Sequence, residues 1–137
     1  MLFRSLLFHM HEYFGDADAR AKAERVLAAA APLITKMPVM LGHLLGAADL
    51  GVHGGVEVAI AGDPGRQETR ALVQAVSGVY VPSLVLACGR GDAVRGLPLF
   101  QGRGGEPAPT AYVCRRYVCG LPVTDPEALR TEIGRTV

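Results

Sequence analysis

The apolar positions of the first 53 residues recur at helical rather than strand spacing. Within 2–14, Phe3, Leu6, Leu7, Met10 and Phe14 share one helix face, and Gly15-Asp16 ends the run. From about 17 to 35, Ala23, Val26, Leu27, Ala30, Leu33 and Ile34 form a second stripe, with Arg20, Lys22, Glu24 and Arg25 off it. Asp16 or Asp18 supplies the oxygen that caps its first amides. Pro38 opens a third helix over about 39–52. Val39, Met40, Leu41, Leu44, Leu45, Ala48, Leu50 and Val52 make it apolar most of the way round, so burial on more than one side is expected. Gly54-Gly55 ends it.

The period then changes. Val56 to Ala61 is a short β-branched run closed by Gly62-Asp63-Pro64-Gly65. A helix over about 66–79 follows, with Leu72, Val73, Val76, Val79 and Tyr80 on one face, and then a second strand, Ser83 to Cys88. Strand, helix and strand in so short a span make a right-handed βαβ unit with parallel strands. Both strands are continuous apolar runs, which suits a sheet covered on both faces. The Gly- and Pro-rich stretch 89–109 reads as loop, and Thr110 to Cys119 reads as a third strand with room for a bend. Thr124 and Glu127 form a capping box for a last helix, with Pro126 in its first turn. The expected class is α/β: helices first, then a small three-stranded, mainly parallel sheet with helices on both faces.

Composition narrows the function classes. The chain has 137 residues, about one domain's worth, and its 50% apolar content excludes a disordered tail. Net charge is +1, without the basic excess that phosphate-backbone binding needs, so no nucleic-acid partner is expected. No stretch approaches a membrane span, and the N-terminal apolar run lacks a small-x-small cleavage site, so the expected location is cytoplasmic. Three cysteines, Cys88, Cys114 and Cys119, do not suggest a secreted disulfide framework.

Candidate chemistry is sparse. At Gly62-Asp63-Pro64-Gly65-Arg66 a strand hands over to a helix, where backbone N–H groups can hold a phosphate. The turn matches neither the Walker loop nor the dinucleotide fingerprint, and its plainer reading is a βα turn with Asp63 as helix cap. In one continuous strand Cys114 and Cys119 point to opposite faces. They then form neither a disulfide nor a metal site, unless the chain bulges or turns between them. Two small buried residues is the plain reading, and a thiolate activated by Arg115 and Arg116 is the redox alternative. His43 lies in an apolar helix, either lining a pocket between helices or hydrogen-bonded in the interior. There is no zinc-type Cys/His spacing and no G-x-S-x-G around Ser5, Ser77 or Ser83. No catalytic residue, metal or cofactor is assigned.

Several blocks carry a family resemblance. Glu57 to Pro64, Glu68 to Leu72, Tyr80-Val81-Pro82, and Ala111 to Cys119 running into Pro122 to Leu129 resemble the C-terminal region of the YyaL-type thioredoxin-domain-containing family, the spermatogenesis-associated protein 20-like proteins. The likeness runs from about residue 17 to the end, and Ala-Tyr-Val-Cys-Arg…Cys…Pro-Val-Thr-Asp-Pro is its specific part. It implies a parent several times longer, with an N-terminal thioredoxin-like domain. It also implies an α/α barrel similar to N-acylglucosamine 2-epimerases and six-hairpin glycosidases. Residues 1–54 would then be the last barrel helices and 55–137 a small α/β unit buttressing them. The expected function is that of a C-terminal portion, itself non-catalytic, of a protein whose pocket takes a sugar-type ligand. Its expected partners are the rest of that parent or a second copy. Two alternatives stand beside this reading. One is a stand-alone module binding a phosphorylated or nucleotide-like ligand through Gly62, Asp63, Gly65 and Arg66, and the other is a redox protein using Cys114 and Cys119.

Overall fold

The computed structural model describes residues 3–104, 107–116 and 118–137, with the side chains of all of these except Phe3 and Arg4. Two compact units divide the chain between Gly55 and Val56.

The first unit is helical: α1 (Phe3–Phe14), α2 (Ala17–Lys36) and α3 (Gly42–His53), the last preceded by a 3-10 turn, Val39–Leu41. Asp16 caps α2, its carboxylate accepting from the Ala19 amide at 2.9 Å. The α1 helix packs on both α2 and α3. Its wholly buried Phe8 is surrounded by Leu7, Ala19, Ala23 and Leu50. This rotates the stripe expected for α1: Leu6 and Phe14 are exposed, and Phe8, off that stripe, takes the core position. Six apolar residues besides Tyr13 crowd this helix, and the face that meets α2 and α3 is the one turned inward. Gly51 lets α3 come close to that ring, since a Cβ there would stand 2.7 Å from it. Arg20 donates to the Gly51 carbonyl at 3.2 Å, satisfying one of the last carbonyls of α3. The burial on more than one side expected of residues 39–52 is not found in this unit. Leu44, Ala47 and Leu50 are buried, while Val39 is 94% exposed and Met40 77%.

The second unit comprises β1 (Val56–Ala61), α4 (Gln67–Ser77), β2 (Leu84–Gly89), β3 (Thr110–Arg115), β4 (Val118–Cys119) and α5 (Pro126–Thr136). Its sheet has four strands in the order β2-β1-β3-β4. Strands β1 and β2 are parallel, from Val56 opposite Leu84 to Ala61 opposite Gly89, with α4 as the crossover. The other two pairings are antiparallel, so the sheet is mixed rather than three-stranded and mainly parallel. The reason lies in the 90–109 connection, whose described residues hold the 3-10 turns Gly91–Val94 and Pro98–Phe100 and no crossover helix. It leaves at Gly89 and returns at Thr110, which pairs with Ala61 at the same end of the sheet. A strand that re-enters at that end must run antiparallel. Residues 110–119, expected as one strand, reverse after Arg115. Arg116 has φ 50°, the left-handed conformation that a two-residue hairpin turn requires. Tyr117, part of that expectation, lies outside the described residues.

Val56, Val58 and Ile60 join Ala111 and Val113 in a core closed by Leu72 and Val76 of α4 and Leu129 and Ile133 of α5. Both helices cover this one face, not the two faces expected. Against β1 packs the Pro98–Phe100 turn, with Leu99 and Phe100 buried. Every residue of β1 is thus buried, Glu57 included, and the other five are apolar. The cap of α5 is Asp125, accepting from Ala128 at 2.8 Å, and not Thr124. Pro126 takes a first-turn position where no donor is needed. Among the described residues no helix is long and apolar enough to cross a membrane.

Candidate functional site

The turn singled out in the sequence sits at the carboxyl ends of β1 and β2, the end at which parallel strands present ligands. The Gly62 amide donates to the Gly89 carbonyl at 3.0 Å and so joins the two strand ends. Asp63 does not cap α4. Its carboxylate accepts from the Gly65 amide at 2.8 Å, while its carbonyl accepts from Arg66 at 3.0 Å. The N-cap position of α4 is Arg66, with no side-chain cap. Glu68 occupies the positive end of the helix instead. Its carboxyl is held below the ordinary value of 4.5, first by its own backbone amide and then by the Arg66 guanidinium, 3.5 Å away. Two carboxylates therefore already face the donors that a phosphate would need.

The depressed Glu68 value carries a pH expectation. A carboxyl whose folded value lies below its unfolded one stabilises the fold above the unfolded value and loses that contribution as pH falls through the folded one. The melting temperature of Glu68→Gln should therefore lie below that of the parent chain at neutral pH, and the two should converge as the pH falls below the ordinary value of 4.5 and through the lowered one. Parallel curves across that range would show that Glu68 does not contribute this way.

The Gly62 backbone is clamped between Thr69 and Pro109. A Cβ at position 62 would lie 2.7 Å from the Thr69 hydroxyl and 3.0 Å from Pro109. Thr69 is wholly buried, and its hydroxyl has no hydrogen-bond partner among the described residues. Gly62→Ala should cost about 1–3 kcal/mol in urea unfolding, and much of that loss should be recovered with Thr69→Ala added.

One cavity adjoins the turn, and a second shares Arg90 and Gly104 with it. The first, lined by Gly62, Asp63, Arg66, Arg90 and Pro107 to Pro109, measures about 10 Å³, the space of a single water. The second measures about 290 Å³ and is lined by Gly89, Arg90, Arg95, Leu97, Gln101 and Arg103, among others. Arg95 is paired with Asp92 at 2.7 Å, whereas Arg90, which lines both cavities, has no side-chain partner among the described residues. Sequence reading set these arginines aside as loop. The available signal was their recurrence through a glycine-rich segment leaving the carboxyl end of a strand. His43 is elsewhere, in the first turn of α3, with an exposed side chain.

Cys114 and Cys119 are directly opposite one another across the β3–β4 hairpin and form a disulfide. The condition set by the sequence, a turn between them, is met, and the reading as two separate buried residues is overturned. Arg103, rather than Arg115 or Arg116, attends the sulfurs, donating to Cys119 Sγ at 2.7 Å and Cys114 Sγ at 3.1 Å. Arg115 instead donates to the Thr136 carbonyl at 2.8 Å, at the end of α5. Cys88 is the free cysteine, and burial raises its thiol above the ordinary value.

No family model matches the chain. Over 129 residues, 90% of the chain, it is 34% identical to human spermatogenesis-associated protein 20. Identity to the mouse and rat proteins of the same name is 31% over the same length. The matched stretch is 16% of the human relative, so the chain spans about a sixth of the length of these relatives. No solved structure matches.

Proposed function

We propose, from the premise that the chain is homologous over 90% of its length to spermatogenesis-associated protein 20, that it is a structural, non-catalytic portion of a longer protein of that kind. In this reading α1–α3 pack against further helices of an α/α barrel, and the sheet unit buttresses the end of that barrel. The barrel's pocket, formed largely by residues outside this chain, takes a sugar-type ligand, and a thioredoxin-like domain belongs to the same polypeptide. The observation that supports the reading is apolar surface on the helical unit. Phe14, Val39, Met40, Leu45 and Val52 are between 42% and 94% exposed, more than scattered single residues account for.

The test compares this chain alone with a longer product that includes the reading frame upstream of the Met1 codon. The isolated chain should self-associate or bind the dye ANS strongly, and the longer product should do neither. A compact monomer that binds no dye overturns the reading, as does an in-frame stop directly upstream.

The 290 Å³ cavity favours a second reading, a small phosphorylated or nucleotide-like ligand held by Arg90 beside the Gly62–Arg66 turn. A ligand at a hundred times its dissociation constant adds about 2.7 kcal/mol of stability. A thermal-shift panel of inorganic phosphate, nucleotides and sugar phosphates should raise the melting temperature, and Arg90→Ala should abolish the rise. No shift with any of them removes this reading.

A further inference from the structure

The Arg103 guanidinium is fixed at the Cys114–Cys119 disulfide from several directions. One of its nitrogens donates to both sulfurs, another donates to the Leu99 carbonyl at 2.6 Å, and its plane lies over the Tyr112 ring at 5.2 Å. A neutral disulfide is a weak acceptor, so these contacts gain little while the bond is intact. When either sulfur becomes a thiolate, the same contacts are charge-assisted and much stronger. The arrangement therefore favours the reduced pair. The bond also adds little that the hairpin lacks, since it spans only five positions of a ladder that is already paired. Access is unequal: Cys119 is exposed, whereas Cys114 is 1% exposed.

We propose that Cys114–Cys119 is a redox-active disulfide, with Cys119 as the sulfur that exchanges with an external dithiol and Arg103 as the residue that stabilises the thiolates. One thiolate of the dithiol attacks Cys119 Sγ. The Cys114–Cys119 bond breaks, and its electron pair goes to Cys114 Sγ, which leaves as a thiolate beneath Arg103. The dithiol's second thiolate then attacks the dithiol's own sulfur in the mixed disulfide and releases Cys119. In net terms the protein disulfide takes up two electrons and two protons, and the dithiol loses the same and closes as a disulfide. Arg103 also lines the 290 Å³ cavity, so the redox state of the pair reaches that cavity through one side chain.

The test is equilibration of the folded protein against dithiothreitol and glutathione buffers, with acid quench, alkylation and peptide mass analysis. The pair should reduce without denaturant, and in the reduced protein Cys119 should alkylate well before Cys114 and Cys88. Arg103→Met should shift the equilibrium toward the disulfide by about tenfold, and Arg103→Lys, which keeps the charge, should recover most of that shift. Circular dichroism on each variant separates loss of fold from loss of charge. A pair that resists reduction until the protein unfolds overturns the proposal. So does a folded Arg103→Met protein with an unchanged equilibrium, or alkylation of Cys114 ahead of Cys119.

Discussion

Phe8→Ala is expected to lower the stability of the helical unit by about 3–5 kcal/mol. Phe8 is the largest wholly buried side chain among the described residues, and Leu7, Ala19, Ala23 and Leu50 close around it. Two of those neighbours are alanines, which have no rotamers with which to fill the space left behind. Gly51 presses α3 against the ring and offers no side chain either. The cavity should therefore persist rather than collapse, which places the cost at the upper end of the range. A unit of about 55 residues has a stability of only roughly 0.05–0.15 kcal/mol per residue, so the loss is comparable to all of it. Hydrogen exchange at the amides of α1–α3 is the measurement, and protection there should collapse. Phe8→Leu, which refills part of the volume, should retain some protection. Amides that stay as protected in Phe8→Ala as in the parent chain would show that the ring does not organise these helices.

Leu129→Ala should cost the sheet unit about 2–5 kcal/mol. Leu129 is wholly buried where α5 packs on α4 and β3, in one cluster with Val56, Val58, Leu72, Val76 and Ile133. It is the first core contact of the last helix, directly after the Asp125 cap. For a unit of this size the change amounts to a fall in melting temperature of more than about 10 °C. Leu129→Met, which conserves volume, should cost less than about 1.5 kcal/mol. A fall under a few degrees for Leu129→Ala would mean that α5 is not part of the cooperative core.

The legible parts of the chain are those whose signal is local. Helical spacing located α1, α2 and the apolar row of α3. The switch to short β-branched runs at Val56 located β1, α4 and β2 and their parallel pairing. Pro126 marked the start of α5, although the capping oxygen came from Asp125 instead of Thr124 because the chain enters the helix one residue later. The Ala111 to Cys119 block and the segment that follows it carried the family resemblance. The comparisons bear that resemblance out as homology over 129 residues.

What stayed illegible depends on distant partners. Which face of α1 turns inward is set by α2 and α3, so Phe8 displaced Leu6 and Phe14 from the core. The direction of β3 is set by where the 90–109 connection returns, a property of the path and not of any residue in the strand. The Cys114–Cys119 disulfide shows the same division at smaller scale. Spacing alone puts Cys114 and Cys119 on opposite faces of a straight strand, and a turn at Arg116 puts them side by side. Arg103 reaches both sulfurs only because the connection folds back against β1. By itself the sequence determined the kind and order of the main elements, since hydrophobic period and turn chemistry act over a few neighbouring residues. The tertiary structure alone decided the sheet order, the inward faces and the arginine at the disulfide, because each is a contact between residues that only the folded path brings together.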